Sequence, residues 1–240
     1  MDIIKKLAQE LTIKEEQAKA AVQLIDEGNT IPFIARYRKE MTGALNDETL
    51  RNLHERLLYL RNLEEKKEQV INAITEQGKM TDDLKKKILA AETLVAVDDL
   101  YRPYRPKKQT RATKAKEKGL EPLANILLLQ ATSKSMEEEA QSFVDEAKGV
   151  TNAKEALAGA KDIIAEMIAD KADYRKSIRN CTMKQGRLVV KAKDEKAESV
   201  YEMYYDFSEE LSKITGYRVL AINRGEKEKF LTVKVEAPDA

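Results

Sequence analysis

The sequence has no tryptophan, one cysteine, one histidine and five prolines in 240 residues. A lone cysteine, Cys181, excludes an intrachain disulfide and with it a small secreted scaffold held by cross-links. The single histidine, His54, has no cysteine or second histidine near it in the chain. A zinc site or a histidine-based nucleophilic triad therefore has little support. Aromatic residues make up only 5%, a composition that suits long solvated helices better than a compact β or α/β enzyme. No apolar run of membrane-spanning length occurs, and the opening MDIIKKLAQE lacks the apolar segment of a secretory signal. A cytoplasmic protein without a membrane partner is the economical reading. A Walker-type glycine loop, HExxH and GxSxG are all missing. Acidic doublets are present at Asp82–Asp83, Asp98–Asp99 and Glu209–Glu210, but sequence neighbours diverge on a helix and do not by themselves build a two-metal site. The expectation is a non-enzymatic chain with no catalytic residue, metal ligand or cofactor.

What the chain has is charge: 43 lysines and arginines against 42 aspartates and glutamates, a net of +1. A nearly neutral protein binds nucleic acid only where its charge is segregated. One stretch segregates it, DDLYRPYRPKKQTRATKAKEKGLEPLA, Asp98 to Ala124, which also holds three of the five prolines. Between Arg102 and Lys118 eight basic residues face a single acid, Glu117. In its front half Tyr101 and Tyr104 alternate with Arg102 and Arg105, and Pro103 and Pro106 bias those arginines toward extended backbone. Two arrangements fit. The rings and guanidinium groups stack on unpaired bases, or Asp98 and Asp99 pair with the arginines while the tyrosines bury against a neighbouring helix as a pinned connector. In the back half, Lys107, Lys108, Arg111, Lys114, Lys116 and Lys118 predict an exposed basic surface, because so many like charges cannot all be buried.

The rest reads as helices. Ile3, Ile4, Leu7, Ala8 and Leu11 share one face. Thr12 and Glu15 have capping-box spacing for a second helix that Gly28 ends. This pair has the outline of a helix-turn-helix, which pattern alone does not separate from an ordinary helical hairpin. GNTIPFIARYRKEMTGAL follows, Gly28 to Leu45, with Pro32 opening a short helix. Phe33, Ile34 and Tyr37 read as core. Arg36, Arg38 and Lys39 form a basic cluster that is either ion-paired and solvated or a phosphate contact. Leu45 and Leu50 are spaced as a staple about Asn46, and the helix beyond runs to Gln77, a rod of about 45 Å. Its apolar seam is broken at Glu64 and Lys67, with Leu63 and Val70 just beside it. Thr81 caps a helix with Leu84, Ile88 and Leu89 inward. Pro122 opens another, Ser135 and Glu138 make a capping box, and an alanine-rich helix from Thr151 continues toward Gly186. Leu188–Val190 reads as a short strand, and Arg218–Asn223 with Phe230–Val235 as a hairpin turning at Gly225. The expected architecture is mainly α, an elongated multi-helix assembly with one long rod helix and a small β-hairpin near the C-terminal end. Its parts are a short-helix region over 1–45, a helical core over 46–186 with the basic connector 102–118, and a mixed segment over 187–240 with the hairpin at 218–235. The final APDA reads as a cut end.

GNTIPFIARYRKEMTGAL, DDLYRPYRPKKQTRATKAKEKGLEPLA and YRVLAINRGEKE together resemble the amino-terminal region of the bacterial Tex family, the transcription accessory proteins. The resemblance implies a fragment of a longer cytoplasmic, nucleic-acid-binding protein, cut before an RNase H-like domain, helix-hairpin-helix elements and an OB-fold that contributes much of the RNA binding. It also implies a core architecture shared with a eukaryotic transcription elongation factor. Two functions follow as expectations. In one the chain contributes to binding nucleic acid, RNA or DNA and single-stranded by preference, through Arg102, Arg105, Lys107, Lys108, Arg111, Lys114, Lys116, Lys118, Arg36 and Arg38, with Tyr101 and Tyr104 stacking on bases. In the other it is a non-catalytic scaffold that holds the later domains or docks on RNA polymerase or the ribosome.

Overall fold

The structure, a computed structural model, describes residues 1–106, 108–130 and 132–238. The chain is mainly helical and divides into two compact units, Met1–Pro106 and Lys107–Ala240.

The first unit contains α1 (Ile3–Leu11), α2 (Glu15–Asp26), α3 (Ile31–Tyr37), α4 (Asp47–Glu76), α5 (Asp82–Ala90) and α6 (Leu94–Tyr101). α4 is the rod. The Asn46 side chain accepts the Thr49 N–H at 2.7 Å and so caps it, and Gly78 leaves it at φ +66°. Leu50, Leu53, Leu57, Leu60, Leu63, Lys67, Val70 and Ile74 are its buried positions, three or four residues apart along one stripe. Leu63 and Val70 thus lie in the seam rather than beside it. The first half of α4 shares a core with Leu7, Leu24, Ile34 and Leu45. The second half shares another with Ile88 and Val97. A boundary at residue 45 is therefore no break in packing, because the core of α1–α3 is one they share with α4.

The interruption read at Lys67 is a buried lysine paired with a half-buried glutamate. Lys67 is 2% exposed, and its Nζ donates to Glu64 Oε1 at 2.8 Å and to the Leu89 carbonyl at 2.9 Å. The Met1 amino group donates to the other Glu64 oxygen at 2.8 Å. Two smaller expectations also change. Thr12 ends α1 in the left-handed region, φ 55°, and α2 opens after Lys14, whose N–H donates to Gln17 Oε1 at 3.1 Å. Leu89 faces solvent.

The second unit contains α7 (Arg111–Glu117), α8 (Glu121–Leu129), α9 (Met136–Gln141), α10 (Ala153–Ala169), α11 (Ala172–Gln185), β1 (Arg187–Ala192), β2 (Asp206–Glu210), α12 (Gly216–Lys227) and β3 (Leu231–Glu236). α7–α10 close over Leu120, Leu123, Val150, Ala156, Ala160 and Ile163. The small residues of α10 let α7 come close: a Cβ on Gly159 would overlap Leu120 and lie 3.2 Å from the Ala115 Cβ. The alanine-rich helix ends at Ala169 and a separate helix begins at Ala172. Met167 and Ile168 are exposed.

The three strands form an antiparallel sheet in the order β2-β1-β3. Val190 lies opposite Phe207 on one side and Val233 on the other. Leu188, Val190 and Leu231 cover Ile222 of α12, with Tyr201 and Tyr204 beside them. The strand expected at Arg218–Asn223 is helical, within α12, so no hairpin spans 218–235 and β3 pairs with β1 instead. Four consecutive apolar residues fit either period; burial of Ile222 and Gly225, three residues apart, decides for the helix. Gly225 is not a turn. It lets α12 lie against Leu231 and Tyr201, where an added Cβ would come within 2.6 Å and 3.1 Å of side-chain carbons. Among the described residues no helix is long and apolar enough to cross a membrane.

Candidate nucleic-acid interface

The basic stretch divides between the two units at Pro106. Its front half closes the first unit. α6 rolls into a 3-10 turn over Arg102–Tyr104. Pro103 fits there because the first turn of a helix leaves its N–H groups unpaired anyway. Arg102 is consequently helical, φ −51° and ψ −43°, rather than extended; Arg105 is extended. Tyr101 and Tyr104 are half-buried against the core of Leu63, Val70 and Ile74. Gln77 donates to the Tyr104 carbonyl at 2.9 Å. Arg105 donates to Asp98 at 2.9 Å, and its guanidinium lies 5.6 Å from the Tyr101 ring centre. Asp99 is buried. These interactions have the geometry of the pinned connector.

The back half is a helix that the proline and charge pattern did not announce. Thr110 Oγ1 accepts the Thr113 N–H at 3.0 Å and caps α7. Ala112 and Ala115 are buried. Arg111, Lys114 and Lys118, three and four residues apart, project together and are exposed. Lys108 and Lys114 have no acidic partner among the described residues. Arg111 is 3.5 Å from Asp162 with its side chain 88% exposed, and Lys118 Nζ donates to the Gly149 carbonyl at 2.7 Å. Lys116 points elsewhere and pairs with Glu121 at 3.1 Å. Lys107 lies outside the described residues. A shallow groove separates this row from α10, whose side carries Glu155 and Asp162. Hydrogen bonds from the Thr151 N–H and hydroxyl hold the Glu155 carboxyl below its ordinary value. The groove thus carries basic side chains on its α7 side and acidic ones on its α10 side.

Arg36 and Arg38 belong to the first unit and flank the end of α3. Only Ile34 of that helix is buried. Tyr37, read as core, is 60% exposed. Its ring sits 5.3 Å from that of Phe33, Arg36 lies 5.9 Å from the Tyr37 centroid and Arg38 5.2 Å from the Phe33 centroid. Among the described residues neither arginine has an acidic partner. The following turn is held from beneath. Buried Thr42 donates from its backbone N–H to the Arg38 carbonyl at 3.1 Å, and its hydroxyl lies 3.3 Å from that oxygen and 3.4 Å from the Lys39 carbonyl. Gln17 Nε2 donates to the Thr42 and Gly43 carbonyls at 3.2 and 2.9 Å. Gly43 has φ +62°, and an added Cβ would stand 2.6 Å from that same amide nitrogen. Gly43→Ala should cost about 1–2 kcal/mol of stability in urea unfolding, whereas Gly28→Ala, with open space about its site, bears only the conformational part of that cost.

Sequence reading missed Tyr37 as a surface group because it follows Ile34 and Phe33 at helical core spacing. The two arginines on either side of it were the available signal. Among the described residues no three His, Cys, Asp or Glu side chains gather as metal ligands.

Comparison with known proteins agrees with the resemblance carried by the three stretches. A family model described as the Tex-like protein N-terminal domain matches residues 1–75, and one described as Tex central region-like matches residues 131–240. The protein YdcI of Bacillus subtilis is 44% identical over 235 residues, 97% of this chain and 33% of that protein. The transcriptional accessory protein Tex of Neisseria gonorrhoeae is 41% identical over 239 residues, 98% of this chain and 31% of that protein. A human protein named S1 RNA-binding domain-containing protein 1 is 32% identical over 248 residues, covering 99% of this chain and 24% of that protein. The chain thus spans about a third of the length of the bacterial relatives it matches. With two models of one family fitting separate segments and relatives aligned along nearly its whole length, the chain belongs to the Tex family, as its amino-terminal region.

Proposed function

We propose that this chain is the amino-terminal part of a cytoplasmic transcription accessory protein and that it contributes a non-catalytic surface for nucleic acid, with single-stranded RNA the preferred ligand. The observation that carries the reading is the row Lys108, Arg111, Lys114 and Lys118 on and beside α7, exposed on one side of a helix whose other side is buried alanine. Such a row neutralises backbone phosphates and releases counterions. The names of the Neisseria and human relatives supply the process and the ligand class. Changing the four residues to glutamate should weaken binding of a labelled single-stranded RNA by about tenfold or more at low salt, and flatten the log–log salt slope by about 0.7 for each phosphate no longer neutralised. Equal affinity and slope in a fluorescence titration would sink the proposal.

A second reading, a docking module, has one observation in its favour. α11 buries none of its residues, and Tyr174, Ile178 and Met183 are 46%, 62% and 58% exposed. If that reading governs, Ile178→Glu abolishes capture of purified RNA polymerase or ribosomes and leaves RNA affinity unchanged.

A further inference from the structure

We propose that Tyr37, with Arg36 and Arg38 beside it, is a stacking site for one unpaired base of a single-stranded nucleic acid. The proposal rests on the nucleic-acid reading above and gives it a second point of attachment, in the other unit. Three features of the surface point to that ligand. Tyr37 is 60% exposed while the neighbouring Ile34 is fully buried, so the ring is presented outward from an anchored helix. Its two flanking charges are both positive, and neither has an acidic partner among the described residues; Glu40 is the one acid of the turn. Arginines lying over aromatic rings, at 5.9 Å for Arg36 and 5.2 Å for Arg38, use their π faces; Arg38 Nη1 also reaches the Tyr37 carbonyl at 3.5 Å, and the other edge N–H donors are left for phosphate oxygens. A ring for a base with guanidinium edges for the flanking phosphates is the chemistry of single-strand recognition.

The surface is also set in advance. The turn after Tyr37 is fastened by Thr42 and Gln17, and Ala44 is held at φ +61°, a conformation that costs a non-glycine residue energy and persists only where its surroundings enforce it. A ring and two arginines held by a fixed turn lose less freedom on binding than the same groups on a loose loop.

The test is a titration of the whole chain with a single-stranded oligonucleotide containing 2-aminopurine, whose fluorescence is quenched by stacking. Tyr37→Leu should weaken binding about tenfold and abolish the protein-dependent quenching, while Tyr37→Phe retains both. Affinity for a duplex of the same sequence should be equal in all three proteins. Matching thermal unfolding curves control for folding. Lys114→Glu on α7 should weaken every strand yet leave quenching at saturation intact. If wild type binds and Tyr37→Leu matches it in affinity and quenching, the stacking site is wrong while the broader reading stands. If wild type binds no oligonucleotide at low salt, both are overturned.

Discussion

Replacing Lys67 by alanine should lower the unfolding free energy of the first unit by about 3 kcal/mol or more. The side chain is almost wholly removed from water, and its ammonium is the shared donor for Glu64 and for the Leu89 carbonyl. Truncation takes away that donor and also leaves a void where the aliphatic stem packed. Lys67→Met keeps the stem and loses only the charge and its bonds, so it should cost less, about 1–2 kcal/mol. Exchanging the pair together, Glu64→Leu with Lys67→Met, keeps the aliphatic stem and leaves no carboxylate short of a donor, so it should be milder than Lys67→Ala alone. Urea unfolding followed by circular dichroism orders the three variants. A loss under about 0.5 kcal/mol for Lys67→Ala, the size of an ordinary surface change, would refute this account of the buried lysine.

The same pair fixes an acid dependence. Burial alone would raise the Glu64 carboxyl, but the hydrogen bonds from Lys67 and the Met1 amino group outweigh it, and the group sits below its ordinary value of 4.5. A carboxyl held lower in the folded than in the unfolded chain stabilises the fold above the unfolded value. That contribution disappears as the pH drops through the folded one. Glu64→Gln should therefore be less stable than wild type at neutral pH, and the gap should close in acid below about pH 4.5. A gap that is constant across that range would show that the charge on Glu64 does not matter.

In the second unit, Gly186→Ala should cost about 3 kcal/mol. Gly186 joins α11 to β1, and its N–H donates to the Thr182 carbonyl at 2.7 Å while its carbonyl accepts from Leu211 at 2.9 Å. An added Cβ would overlap the Thr182 carbonyl oxygen and stand 2.9 Å from that of Glu236. Both obstacles are backbone, one the last turn of a helix and the other the end of β3, so no side chain can swing aside to make room. The backbone at Gly186 is extended, φ −71° and ψ 163°, which any residue adopts, so the cost is steric and not conformational. A scan of thermal unfolding should show the loss. Stability within about 0.5 kcal/mol of wild type would mean that the helix end relaxes freely.

Helix ends were the most legible part of this fold. Asn46, Thr81, Ser135 and Gly78 act where their chemistry predicts, because a cap depends on residues within one turn of each other. Lys67 was illegible because a cation in an apolar register reads as an interruption; its partner Leu89 is a backbone carbonyl on another helix, which sequence does not display. Arg218–Asn223 was misread because a four-residue apolar run fits both periods, and the packing of Gly225 on Leu231 that selects the helix is tertiary. Of the candidate site, the basic content of 102–118 was readable from composition, but the helix that sets Arg111, Lys114 and Lys118 in one row was not. Nor were the fates of the tyrosines. Tyr101, Tyr104 and Tyr37 are alike in local sequence, each beside an arginine, and tertiary packing leaves two half-buried and one exposed.

Tyr59 packs against both cores of the first unit. Its hydroxyl accepts the Leu94 N–H at 3.2 Å, and its ring lies 4.7 Å beneath the Arg56 guanidinium, which itself grips Glu10 with two hydrogen bonds. α1, α4 and α6 are thereby tied through Tyr59 and Arg56, one turn apart on α4. In hydrogen exchange, such a tie removes the partial openings in which one core melts while the other survives. The central amides of α4 should exchange only when the whole unit unfolds, so both cores would report a single opening free energy.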